Sequence, residues 1–96
     1  MMSKQKVIEF LNSQMEKFTT NLRFREIDDS PYIYIISMDV FLNPCSNMCI
    51  TQGAKDVILH RLAVLGIDER TVSFIPTKYG LAISAEKDGK QYWEEK

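Results

Sequence analysis

A chain of 96 residues, 45% hydrophobic and 26% charged, has the length and composition of a single ordinary folded domain and requires neither disulfide nor metal to build a core. Its 12 Lys and Arg against 13 Asp and Glu leave a formal net charge of −1, which excludes a protein held on nucleic acid by global charge alone. No run approaches a membrane span in length, and the apolar stretch near the start is interrupted by Glu9, Asn12 and Gln14, so it does not read as a signal peptide.

From Ser3 to about Phe18, Val7, Ile8, Leu11, Met15 and Phe18 recur at three- and four-residue spacings and predict an amphipathic helix, with Ser3 as its cap. Lys6, Glu9, Asn12, Ser13 and Glu16 fall largely on its other side. Thr19-Thr20-Asn21 ends the pattern. Leu22 to Ile27 then alternates as a strand does, Asp28-Asp29-Ser30-Pro31 is turn chemistry, and Tyr32 to about Leu42 reads as a second strand, apolar at nearly every position.

Asn43-Pro44-Cys45-Ser46-Asn47 breaks that strand. A second helix follows from Thr51 or Gln52 to Leu65, with Ala54, Val57, Ile58, Leu62 and Leu65 on one stripe and Gly66 as a left-handed C-cap. Strand three is expected over Thr71 to Ile75, ended by Pro76, and strand four over Leu81 to Lys87. Asp88-Gly89 predicts a type I′ turn into a fifth strand, Lys90 to Glu94. The expectation is one α+β domain over residues 1–96, in the order αββαβββ, with two helices packed on one face of an antiparallel sheet.

The first hairpin carries the most chemical information. Its turn sets Arg25 opposite Tyr34 and Arg23 opposite Ile36, so Phe24, Ile33 and Ile35 share one face. The helices need that apolar face, and burying Arg23 and Arg25 instead would cost several kcal/mol for each charge. Arg23, Arg25, Tyr32 and Tyr34 are therefore expected to look outward. The Asp88-Gly89 turn sets Ser84 opposite Trp93, which adds Trp93 to the same outer face, close enough to the chain end to fray. Arg and Tyr on a sheet face suit binding, because both are planar, hydrogen-bonding and amphipathic. The plain alternative is that their stems and rings simply cover the sheet.

Other candidates carry less. Cys45 and Cys49, four apart at the turn into the second helix, read as small buried or half-buried hydrophobes, with a redox pair as the alternative; zinc would find only His60 as a further nitrogen ligand. Two cysteines do not make a disulfide framework, so a reducing cytoplasm is the simpler setting. His60 reads as a helix-surface residue without a nucleophile or acid motif beside it. Asp28 and Asp29 lack the ligand series of a calcium loop, Asp39 interrupts an apolar strand with no nuclease motif after it, and Gly53 and Gly66 belong to no phosphate loop.

In element order, the stretch from about Phe18 to Lys87, with Tyr79-Gly80 at its second hairpin turn, resembles the double-wing DNA-binding domain of a phage middle-gene transcription activator. The same order is similar to small chaperones of secretion effectors, which implies an open sheet that binds extended polypeptide. The residues themselves point to no catalytic, cofactor or metal site. They point to a cytoplasmic, non-enzymatic regulatory or adaptor module that binds a protein partner, a second copy included, through Arg23, Arg25, Tyr32, Tyr34 and Trp93. Nucleic-acid binding by the same face is the alternative, with the rings on bases and the arginines on phosphates.

Overall fold

The computed structural model of the protein describes residues 3–17, 22–37 and 52–94. Helix α1 spans Lys4–Lys17. Ser3 caps it as expected: its Oγ accepts from the Lys6 N–H at 3.2 Å, which satisfies one of the amides a helix start leaves unpaired. Of the expected stripe, Val7, Ile8, Leu11 and Met15 are buried, and Phe18 lies outside the described residues.

Strand β1, Leu22–Glu26, pairs antiparallel with β2, Ile33–Ser37, in the predicted register, with Arg25 opposite Tyr34 and Arg23 opposite Ile36. The intervening turn is closed by the Ser30 N–H donating to the Ile27 carbonyl at 3.1 Å, with Asp29 at φ +65. The expected continuation of the second strand toward Leu42 lies outside the described residues beyond Ser37, as do Asp39, Cys45 and Cys49.

Helix α2 spans Gln52–Val64 and ends on Gly66, at φ +87. The Ile67 N–H donates to the Leu62 carbonyl at 3.1 Å and the Gly66 N–H to the Ala63 carbonyl at 2.9 Å, the two bonds of a Schellman ending. A 3-10 turn, Glu69–Thr71, follows; it has no hydrophobic period and is built by Asp68, whose carboxylate accepts from the Arg70 N–H at 2.9 Å. Strand β3 then runs Val72–Thr77, β4 Gly80–Lys87 and β5 Lys90–Gln91. The Asp88-Gly89 turn has positive φ at both residues, as a type I′ hairpin needs.

The strands form one antiparallel sheet in the order β1-β2-β4-β3, with β5 paired to β4. The architecture is the expected α+β arrangement. Val7, Ile8, Leu11 and Met15 of α1 and Ile58 and Leu62 of α2 share a single core cluster with Phe24, Ile33, Ile83 and Ala85 of the sheet. Alternation along each strand sets a second, opposite face, crossed by the row Arg25, Tyr34, Ala82 and Ile75.

Both outer edges of this sheet are blunted. The side-chain amide of Asn12 takes the place of a neighbouring strand beside β1: its Nδ2 donates to the Phe24 carbonyl at 3.1 Å, and its Oδ1 accepts from the Phe24 N–H at 2.7 Å. On β3, Pro76 does not end the strand as expected but sits inside it, opposite Leu81. Thr77 and Gly80 close the hairpin as a hydrogen-bonded pair, so position 76 turns its missing N–H to the free edge, where a proline breaks no ladder bond. The Val72 N–H is also occupied, by the Glu69 carbonyl. Unpaired edge backbone invites association, and these contacts occupy part of it among the described residues.

The C-terminal end departs most from expectation. β5 stops at Gln91, and the chain turns at Tyr92 and Trp93 instead of continuing extended to Glu94. Gln91 closes the gap this leaves. Its Oε1 accepts from the Ala85 N–H at 2.7 Å and its Nε2 donates to Ser84 Oγ at 3.0 Å, while the Tyr92 N–H still reaches the Ala85 carbonyl at 3.0 Å. Glu94 holds the turn from the other side, accepting from the Gln91 N–H at 3.2 Å.

Candidate functional site

The outer face has the predicted composition but not the predicted exposure. Arg25 is exposed; Arg23 and Tyr32 are half-buried. Tyr34, expected to look out, retains only 3% of its accessible surface, and Ala82 beside it none. The hydroxyl of Tyr34 meets Ser30 Oγ at 2.8 Å, and its ring is met edge-on by Tyr79, with centroids 6.2 Å apart and planes at 80°. Tyr34 is thus on the predicted face, yet it lies down within it. The cause is the geometry of the two hairpins: the turn before β2 supplies Ser30 and the turn before β4 supplies Tyr79, and both close over the same ring.

Trp93 is corrected more completely. It was expected on the outer face beside Ala82 and Ser84; it is 2% exposed and belongs to the core cluster with Val7, Ile33 and Ala85. Its Nε1–H donates to the Pro31 carbonyl at 2.7 Å. The reversal follows from the short fifth strand: once the chain turns at Tyr92, alternation no longer decides which way the indole points, and burial does. Neither Tyr34 nor Trp93 therefore offers a ring to an incoming partner.

The exposed aromatic on this side is Tyr79, 57% accessible. In sequence it is only one residue of a turn; its signal is a tyrosine at a two-residue hairpin tip, a position the hairpin itself leaves uncovered. Thr77 holds that tip: its Oγ1 donates to the Gly80 carbonyl at 2.7 Å and accepts from the Tyr79 N–H at 3.1 Å. The Lys78 ammonium lies 5.1 Å from the Tyr79 ring centroid, within cation–π range.

Charge is segregated along the face. Alternation puts Arg23 and Arg25 of β1 on it, at one edge of the sheet, and Lys78 and Tyr79 stand at the β3–β4 tip with β2 between. Among the described strand residues of this face, the carboxylate is Glu86, beyond Ser84 at the opposite end. Arg23 is partly committed, since its Nη1 donates to the Leu22 carbonyl at 2.7 Å. The remaining acidic candidates of the first hairpin, Asp28 and Asp29, are exposed turn residues; Glu26 belongs to the helix-side row and sits 4.0 Å from the Lys4 ammonium.

Elsewhere the functional chemistry is sparse. His60 is exposed on α2 over a shallow depression shared with Asp56, Val57 and Arg61. Among the described residues, no three His, Cys, Asp or Glu side chains are grouped as a metal site, and no helix is long and apolar enough to cross a membrane. The chain matches no protein family, no curated protein and no solved structure. The two likenesses in element order thus remain comparisons of topology.

Proposed function

We propose that this protein is a small non-catalytic regulatory or adaptor module of the reducing cytoplasm, which binds a protein partner through the outer sheet face. The accessible contacts are Tyr79, Arg25 and Lys78, with half-buried Arg23 and Tyr32 beside them. Tyr34 acts as the floor on which Tyr79 stands. The observation that carries this reading is the exposed Tyr79 ring held edge-on to a buried Tyr34, with Arg25 paired to Tyr34 across the strands. Tyrosine and arginine are the residue types enriched at interface hot spots, and a ring pre-positioned by a second ring loses little freedom on binding.

Binding to nucleic acid is the competing use of the same face. What favours protein is the burial of Tyr34 and Trp93, which reduces the stacking surface of the face to Tyr79 and half-buried Tyr32, less than a track of successive bases uses. The test is affinity capture from the native host with the wild-type chain, Tyr79→Ala and Arg25→Glu, with Lys90→Glu on the fifth strand as control. Tyr79→Ala is expected to weaken capture of the partner by about 2 kcal/mol, a hot-spot magnitude. Capture that survives both face variants would overturn the reading; capture of oligonucleotide in place of protein would transfer the face to the competing use.

A further inference from the structure

We propose that the partner segment taken by this face is acidic, a stretch of polypeptide in which carboxylates alternate with apolar side chains. The inference rests on the protein-binding reading above and adds the partner's chemistry to it. Arg25 is exposed on β1, Lys78 is exposed at the β3–β4 tip, and Arg23 lies on the same face one alternation away from Arg25. The one carboxylate among the described strand residues of the face, Glu86, stands at the far end past Ser84. The chain as a whole is close to neutral at −1, so these cations, set on β1 and at the β3–β4 tip, are a local arrangement of the face and not the overflow of a basic protein.

Between the cations the surface is apolar. Tyr79 is exposed, half-buried Ile36 lies one alternation along β2 from Tyr34, and half-buried Ile75 ends the row of Arg25, Tyr34 and Ala82 on β3. A segment with one kind of side chain cannot satisfy both features. Carboxylates would pair with Arg25 and Lys78, and apolar side chains would rest on the Tyr79 ring and the isoleucines. Such rim charges select partners and speed encounter more than they add affinity. Nucleic acid offers the negative charge but would leave the apolar strip facing sugar and phosphate.

Fluorescence anisotropy with defined peptides tests the assignment. The probes are labelled peptides of equal length alternating Glu with Leu, Gln with Leu and Lys with Leu, and a labelled single-stranded oligonucleotide. The Glu peptide is expected to bind roughly fivefold or more tightly than the Gln peptide, by the summed effect of a few exposed ion pairs, and the advantage should shrink in added salt. Arg25→Glu should abolish that advantage, with Arg25→Gln intermediate, while Tyr79→Ala should weaken the Glu and Gln peptides alike. Equal binding of the Glu and Gln peptides, binding of neither, or preference for the Lys peptide or the oligonucleotide overturns the acidic assignment. Host-protein capture that is lost in Tyr79→Ala while the Glu peptide fails would leave the face as a protein site and remove only its charge preference.

Discussion

Asn12 and Phe24 form a two-bond clamp in which a side-chain amide does the work of a strand, donating at 3.1 Å and accepting at 2.7 Å against the Phe24 backbone. Phe24 itself is 3% exposed and packs in the core, so the clamp fastens α1 to the edge of the sheet at a buried anchor. Asn12→Leu is expected to cost about 1–3 kcal/mol, the value of two hydrogen bonds net of solvation. Asn12→Asp should also destabilise, because its carboxylate keeps the acceptor and sets a negative charge against the Phe24 carbonyl. Urea unfolding of the variants measures both.

Trp93 ties the C-terminal turn into the core, with its Nε1–H donating to the Pro31 carbonyl. Trp93→Ala is expected to destabilise by about 3–5 kcal/mol through the cavity it leaves, and Trp93→Phe by about 1–2 kcal/mol through the lost bond to Pro31 and a smaller ring. Since the chain has 1 Trp, its fluorescence reports this site alone. Emission should be that of a buried indole in the native chain, shifting to the red with global unfolding and not before it.

These residues show which parts of the structure were legible in sequence. The first hairpin's register, the α1 stripe, the Gly66 cap and the Asp88-Gly89 turn were readable because each depends on local spacing and backbone conformation. Periodicity sets Asn12 on the polar side of α1 because it records whether a side chain is polar, not whether it faces water or a strand edge. Pro76 looks like a strand stop in sequence because the edge position of β3, which tolerates it, is a fact of topology. Trp93 was assigned by alternation continued beyond Gln91, where the strand had already ended. For the candidate face, its membership was legible and its exposure was not: Tyr34 is covered by Ser30 and Tyr79, which come from two separate hairpin turns.

Gly66 offers a test of backbone conformation free of packing effects. Its φ is +87, and a Cβ placed there would meet nothing within 4 Å. Gly66→Ala is therefore expected to lower stability by about 1–2 kcal/mol through the left-handed conformation alone, and Gly66→Asn by less. Thermal unfolding compared across the three chains checks the order.

Asp68 supplies a pH dependence of known sign. The side-chain hydrogen bonds from Arg70, together with the bond from the Arg70 N–H, hold the Asp68 carboxyl below its ordinary value, with Arg70 Nη2 at 2.9 Å from Oδ2. A carboxyl depressed in the folded state stabilises fully above its unfolded value, and that stabilisation is lost as pH falls through the folded value. Arg70→Ala should raise the Asp68 titration midpoint measured by NMR, and Asp68→Asn should keep the cap of the 3-10 turn while removing this contribution to the acid limb.

The central claim is that the face bearing Tyr79, and not the helix side, meets the partner. Photo-cross-linking in the native host tests it most directly, with a photoreactive phenylalanine analogue in place of Tyr79 in one chain and of His60 on α2 in another. A discrete protein adduct is expected from position 79, diminished by Arg25→Glu, and none from position 60. An adduct from position 60 with none from position 79 would contradict the claim.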